Sequence, residues 1–123
     1  MGTGLGQKFA EALAKKDRTA LLELLHPAVD FRGMTPGGFW EATSAAELVD
    51  DILLGAWFEP TDHIDELESV EMGEVVDRAR VGYRMRVTNE DGTSAVEQQA
   101  YYEAVGDQIT WMRVMCAGMR PLS

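Results

Sequence analysis

Residues 78–104 read RARVGYRMRVTNEDGTSAVEQQAYYEA, and their pattern decides the fold. Ala79, Val81, Tyr83, Met85 and Val87 alternate with Arg78, Arg80, Gly82, Arg84 and Arg86. A period of two places the first set on one face of a β-strand and the arginines on the other. The Asp-Gly turn in NEDGT then reverses the chain as a hairpin. On the returning arm Val96, Gln98, Ala100, Tyr102 and Ala104 alternate with Glu97, Gln99, Tyr101 and Glu103. The apolar face of this arm therefore carries a glutamine. A buried amide without partners costs on the order of 1–3 kcal/mol, so Gln98 requires one. Tyr83, Tyr102 and a bound ligand are the candidates.

The elements around the hairpin follow from the same reasoning. GDQ at residues 106–108 predicts a second turn, and Ile109 to Ala117 a last strand. Residues 62–73 read as an acid-rich strand carrying Ile64, Leu67, Val70 and Met72. The N-terminal half is helical instead. Leu5, Phe9, Ala12 and Leu13 recur at helical spacing, and Asp17 is placed to cap a short second helix that Pro27 stops. AVDFRGM reads as a strand and TPGG as a turn. Ser44 and Glu47 form a capping-box pattern ahead of a third helix with Leu48, Val49, Ile52 and Leu53 as its buried stripe. Helices first and a meander of strands after them predict one α+β domain over residues 1–123. The helices pack on a curved, mainly antiparallel sheet.

Composition removes several function classes. The net charge of −10 argues against nucleic acid, which needs a basic footprint. No apolar run approaches the ~20 residues of a membrane span. The single cysteine, Cys116, and the absence of a signal pattern at the N-terminus predict a cytoplasmic protein. The glycines of GTGLG, residues 2–6, follow no strand, so they read as a frayed start rather than a dinucleotide loop. His26, His63 and Cys116 are too scattered in sequence for a metal site, and Asp50 and Asp51 suit the wet face of a helix. Neither a metal nor a cofactor is expected.

The order helix, helix, strand, helix, then four long strands resembles the cone-like fold of the nuclear transport factor 2 (NTF2)-like superfamily. That superfamily includes SnoaL-like polyketide cyclases and ketosteroid isomerases. LLELLHPAVDFRG, residues 21–33, is similar to its helix and first strand, and GDQITWMRVMCAG, residues 106–118, to its last hairpin. The resemblance implies an apolar cavity between helices and sheet, lined by Phe31, Tyr83, Met85, Tyr102, Met112, Val114 and Cys116. Trp40 and Trp57 would flank its mouth, and a small apolar molecule would be its ligand. For each residue singly, simple core filling is the competing reading.

Ketosteroid isomerases hold a protonated acid at about the position of Gln98, and their general base stands near Gly33. The cyclases carry an acid on the final strand, where this chain has Val114 or Ala117. Neither mechanism transfers intact to these residues. The catalytic set left to test is His63, flanked by Asp62 and Asp65, together with Tyr83, Tyr102 and Gln98. Two functions are therefore carried forward. One is an isomerase, cyclase or hydrolase of a carbonyl-type compound. The other is a non-catalytic ligand-binding or dimerisation module. On the opposite face Tyr101, Trp111, Arg113 and Met115 are the residue types enriched at interfaces, and they predict a homodimer. A C-terminal segment folded back over them is the alternative.

Overall fold

The computed structural model describes residues 4–122, the outermost residues falling outside the description. Two helices, α1 (Leu5–Ala14) and α2 (Arg18–Leu24), precede β1 (Leu25–Thr35) and β2 (Gly38–Ala42). A helical turn, α3 (Ala45–Glu47), continues directly into a π-helix (Leu48–Trp57). Four long strands complete the chain: β3 (His63–Val75), β4 (Arg78–Asn89), β5 (Gly92–Val105) and β6 (Gln108–Pro121). The six strands form one sheet in the order β2-β1-β6-β5-β4-β3. Every pairing is antiparallel except β1 with β6. This is the expected α+β architecture. Among the described residues no helix is long and apolar enough to cross a membrane.

The hairpin carries the register that its alternation predicts. Tyr83 pairs with Gln98, Val81 with Ala100 and Met85 with Val96, all facing the helices. Phe9 of α1 packs against Tyr83 with ring centroids 6.4 Å apart. Asp17 caps α2 by accepting from Ala20 N at 3.1 Å, and Ser44 accepts from Glu47 N at 3.2 Å. Both caps are legible in the sequence because a short side-chain oxygen meets an orphan N–H of the first turn.

Several expectations need correction. The third helix is mainly a π-helix, although the expected stripe Leu48, Val49, Ile52 and Leu53 is buried, with Trp57 added at its end. A Cβ on Gly55 would lie 2.5 Å from the Asp50 carbonyl oxygen, so glycine lets the wider turn close. FWEA, to which the sequence reading assigns no element, belongs to β2, which pairs with β1 through a tight turn at Pro36–Gly37. Gly6 is not frayed: it is buried in α1 and donates its N–H to the Tyr102 hydroxyl at 2.9 Å. Gly2 and Thr3 of the same stretch lie outside the described residues. The C-terminal segment does not fold back over the sheet. It extends β6, with Pro121 opposite Ser94 and Leu122 N donating to Thr93 O at 2.9 Å.

Candidate functional site

A cavity of about 180 Å³ lies where the end of the π-helix meets β5 and β6. The π-helix supplies Ala56 and Trp57, with Phe58 just after it. β5 supplies Val96 and Gln98. Across from them the β5–β6 ladder slips: Val96 pairs with Met119 and Gln98 with Cys116, so β6 holds one extra residue. Gly118, at φ +83°, absorbs that bulge. The extra residue keeps Cys116 and Met119 on the same side as Gln98, and both line the cavity. Thr35 and Trp40 close the flank, Trp40 Nε1 donating to Thr35 Oγ1 at 3.1 Å.

Gln98 is 1 % exposed and lies directly opposite Tyr83, whose hydroxyl donates to Gln98 Oε1 at 2.5 Å. The internal partner expected for the glutamine is therefore Tyr83 and not Tyr102. Burial, together with the neighbouring Cys116, pushes the Tyr83 hydroxyl far above the usual tyrosine range, so it remains a neutral donor. Trp57 packs edge-on against Phe31, centroids 5.8 Å apart, and against Trp40 at 6.5 Å and 90°. Its Nε1–H is buried with no hydrogen-bond partner among the described residues. A Cβ on Gly33 would lie 2.7 Å from the Trp57 ring. The place near which the resemblance puts a catalytic carboxylate is thus filled by an indole.

The other site residues anticipated from the sequence are dispersed. Phe31, Met85 and Met112 are 0–1 % exposed within the core and do not line this cavity. Val114 borders a separate surface depression beside Gly33 and Phe39. Tyr102 sits four residues along β5 from Gln98, about 13 Å at strand rise. Its hydroxyl meets α1 at Gly6, and burial raises its pKa. His63 pairs with Thr88, five residues from Tyr83 along β4, and so stands about 16 Å away along the strand. It lines a different cleft of about 580 Å³ with Lys16 and Asp65. Its Nε2 is 3.5 Å from Asp65, and its side chain is 79 % exposed. Asp62 does not orient it: both its carboxylate oxygens are engaged, by Glu59 N and by Asn89 Nδ2. His26 is the second residue of β1, its Nδ1 accepting from Ala28 N.

Val96, Gly118 and Met119 were missed as lining residues, along with Thr35, Ala56 and Phe58. The glycine inside MCAGM was the available signal, since an isolated glycine in a strand pattern marks a bulge. Among the described residues, no group of three or more His, Cys, Asp or Glu is arranged to hold a metal.

On the far face of the sheet the arginines are paired as cross-strand alternation requires. Arg84 reaches Glu68 and Glu97 at 2.8 and 2.9 Å, and Arg78 reaches Glu103 at 2.8 Å. Trp111 is not bare: the guanidinium groups of Arg78 and Arg113 lie over its ring at 4.1 and 4.4 Å. The exposed apolar groups form a row instead. Phe39 (80 % exposed) faces Met34, and Met34 faces Met115.

No family model and no curated protein matches this sequence. Solved structures do match. A Mycobacterium tuberculosis LEH-like epoxide hydrolase superposes with a TM-score of 0.70 at 11% identity, covering 94% of this chain and 81% of its own. An NTF2-like protein of unknown function from Burkholderia pseudomallei gives 0.69 at 18% identity, covering 92% and 88%. An NTF2-like protein from Burkholderia thailandensis gives 0.67 at 16% identity, covering 94% and 89%. The chain has the NTF2-like fold.

Proposed function

We propose that this protein binds a small, largely apolar molecule in the cavity beneath Trp57 and Gln98, as a ligand-binding module and not as an acid–base enzyme. The carrying observation is the make-up of the wall. Among the described residues no carboxylate, histidine, lysine or arginine lines it, and its walls are mainly indole, thioether, methyl and ring carbon. Such a surface favours apolar ligands by burial, and the titratable side chain among its described residues is the Cys116 thiol. Chemical-shift mapping with neutral organic fragments tests the reading. Shifts clustered at Trp57, Cys116 and Met119 support it. Shifts confined to the cleft around His63 contradict it.

A second reading has its own support. His63 beside Asp65 in the larger cleft, with Lys16 in the same wall, is the arrangement of a general acid or base. The fold likeness to an epoxide hydrolase makes a hydrolase of a carbonyl-type or ether compound the reaction to assay. Turnover that His63→Ala abolishes without unfolding the protein would favour this enzyme over the binding module.

We also propose a homodimer through the far face of the sheet, with Phe39, Met34 and Met115 at its centre and Tyr101, Trp111 and Arg113 around them. A cytoplasmic location suits the single buried thiol, Cys116.

A further inference from the structure

We propose that the adjoining tips of the β3–β4 and β5–β6 hairpins are a docking surface for a basic amphipathic helix of another protein. The two turns share one frame. Val75-Val76-Asp77 joins β3 to β4, and Val105-Gly106-Asp107 joins β5 to β6. The central residue is left-handed in both, at φ +59° for Val76 and +62° for Gly106. Glycine suits that conformation and a β-branched residue does not, yet only the second turn has glycine. Folding alone gives no reason for a valine at this position, and its side chain is 95 % exposed.

Val76 is not an isolated apolar group. Continued three residues past the Ala79–Tyr102 pair, the β4–β5 register sets it level with Val105, which is 73 % exposed. Val75 beside it and Met72 on β3 are exposed as well. Next to them lies a depression of about 700 Å³ lined by Met72, Ala79 and Ala104, with Glu74 and Asp77 in its wall. Apolar groups gathered in this way on a folded domain mark an interaction surface.

Charge selects the occupant. Glu74, Asp77 and Asp107 border the valines and make no ion pair among the described residues. The arginines at this end are committed to the far face, Arg78 to Glu103 and the Trp111 ring, Arg80 to Gln99. The patch is thus apolar with a free anionic border. A second copy would bring like charges together, and an anionic lipid surface would meet the same repulsion. A stripe of aliphatic side chains flanked by lysine or arginine complements both features, and a helix presents such a stripe on one side. Strand addition is less suited. The edge strand β3 is rich in acids, and its ladder is broken between Ile64 and Glu66 and between Leu67 and Ser69, devices that keep an edge unpaired.

The probe is a helical peptide built only of leucine and lysine, with the leucines on one side. Two control peptides carry glutamate for lysine or serine for leucine. Each is titrated into the ¹⁵N-labelled protein at physiological ionic strength, where charges more than about 8 Å apart are screened. We expect the leucine–lysine peptide to bind and to move the amides of Val76, Asp77 and Val105, and neither control to bind. Val76→Gly should weaken binding about tenfold with the fold intact, and Val105→Ser should weaken it too. Glu74→Lys with Asp77→Lys should abolish binding. The charge-matched pair Glu23→Lys with Asp51→Lys, on α2 and the π-helix, should not. Unchanged affinity in both valine variants, equal loss in the two lysine pairs, or no binding of the peptide overturns the proposal. So does a Val76-dependent change in oligomeric state, or Val76-dependent uptake by phosphatidylcholine vesicles, without peptide binding. Those results would assign the tips to a second copy or to a membrane.

Discussion

Tyr83 and Gln98 stand directly opposite each other on β4 and β5, and the tyrosine hydroxyl donates to the glutamine Oε1 at 2.5 Å. Both are buried, so each side chain settles part of the other's hydrogen bonding where water does not. Removing one partner strands the other. Tyr83→Phe and Gln98→Leu should each destabilise the fold by about 1–3 kcal/mol in urea denaturation. The double variant should cost clearly less than the sum, because it leaves no orphan. Additive losses would show that the pair is not coupled.

The same burial has a consequence at high pH. The Tyr83 hydroxyl has a folded-state pKa raised above its unfolded value of 10.0. Its stabilising contribution is therefore complete below about pH 10 and is lost as pH rises, because the unfolded chain ionises first. Unfolding free energy should fall above pH 10 with a slope approaching 1.4 kcal/mol per pH unit from this group. Tyr102, raised in the same direction, adds to the fall. Tyr83→Phe should flatten the slope, and an unchanged slope would contradict this account.

Gly33 marks where backbone and indole touch. Gly33→Ala would set a methyl 2.7 Å from the Trp57 ring and push the indole towards the cavity. Overpacking of this kind costs about 1–3 kcal/mol. Gly4→Ala, with nothing within 4 Å of its Cβ, should change stability little. Thermal unfolding of the two variants side by side checks the contrast.

The β3–β4 turn contains a residue that its conformation disfavours. Val76 has φ +59° and is 95 % exposed, a position at which a two-residue hairpin turn prefers glycine. A β-branched side chain there costs roughly 1–2 kcal/mol, which glycine relieves at a smaller entropic cost in the unfolded chain. Val76→Gly should raise Tm by a few degrees. A lowered Tm would mean that the valine makes a compensating contact.

How much of this was legible in the sequence depended on the range of the interaction. The β4–β5 register and both helix caps could be read because alternation, the Asp-Gly turn and the Ser44–Glu47 spacing are local signals. The inward place of Gln98 followed from alternation as well. The π-helix did not show, since its buried stripe of Leu48, Val49, Ile52 and Leu53 has the spacing of an ordinary helix. β2 was hidden because FWEA pairs through a turn rich in glycine and proline, which read as loop. The cavity needed long-range information. It depends on the bulge at Gly118 bringing Met119 round to the Gln98 side, and on Trp57 arriving from a helix end. The resemblance, applied to the alternating faces, therefore put Phe31, Met85 and Met112 in the lining, whereas they are buried in the core.

Native mass spectrometry of the protein as purified, without refolding, shows whether the cavity is a ligand site. We expect one neutral small molecule per chain, released on denaturation, kept in His63→Ala and absent from Cys116→Phe, whose ring fills the cavity. A bare chain, or an adduct retained by Cys116→Phe, would contradict it.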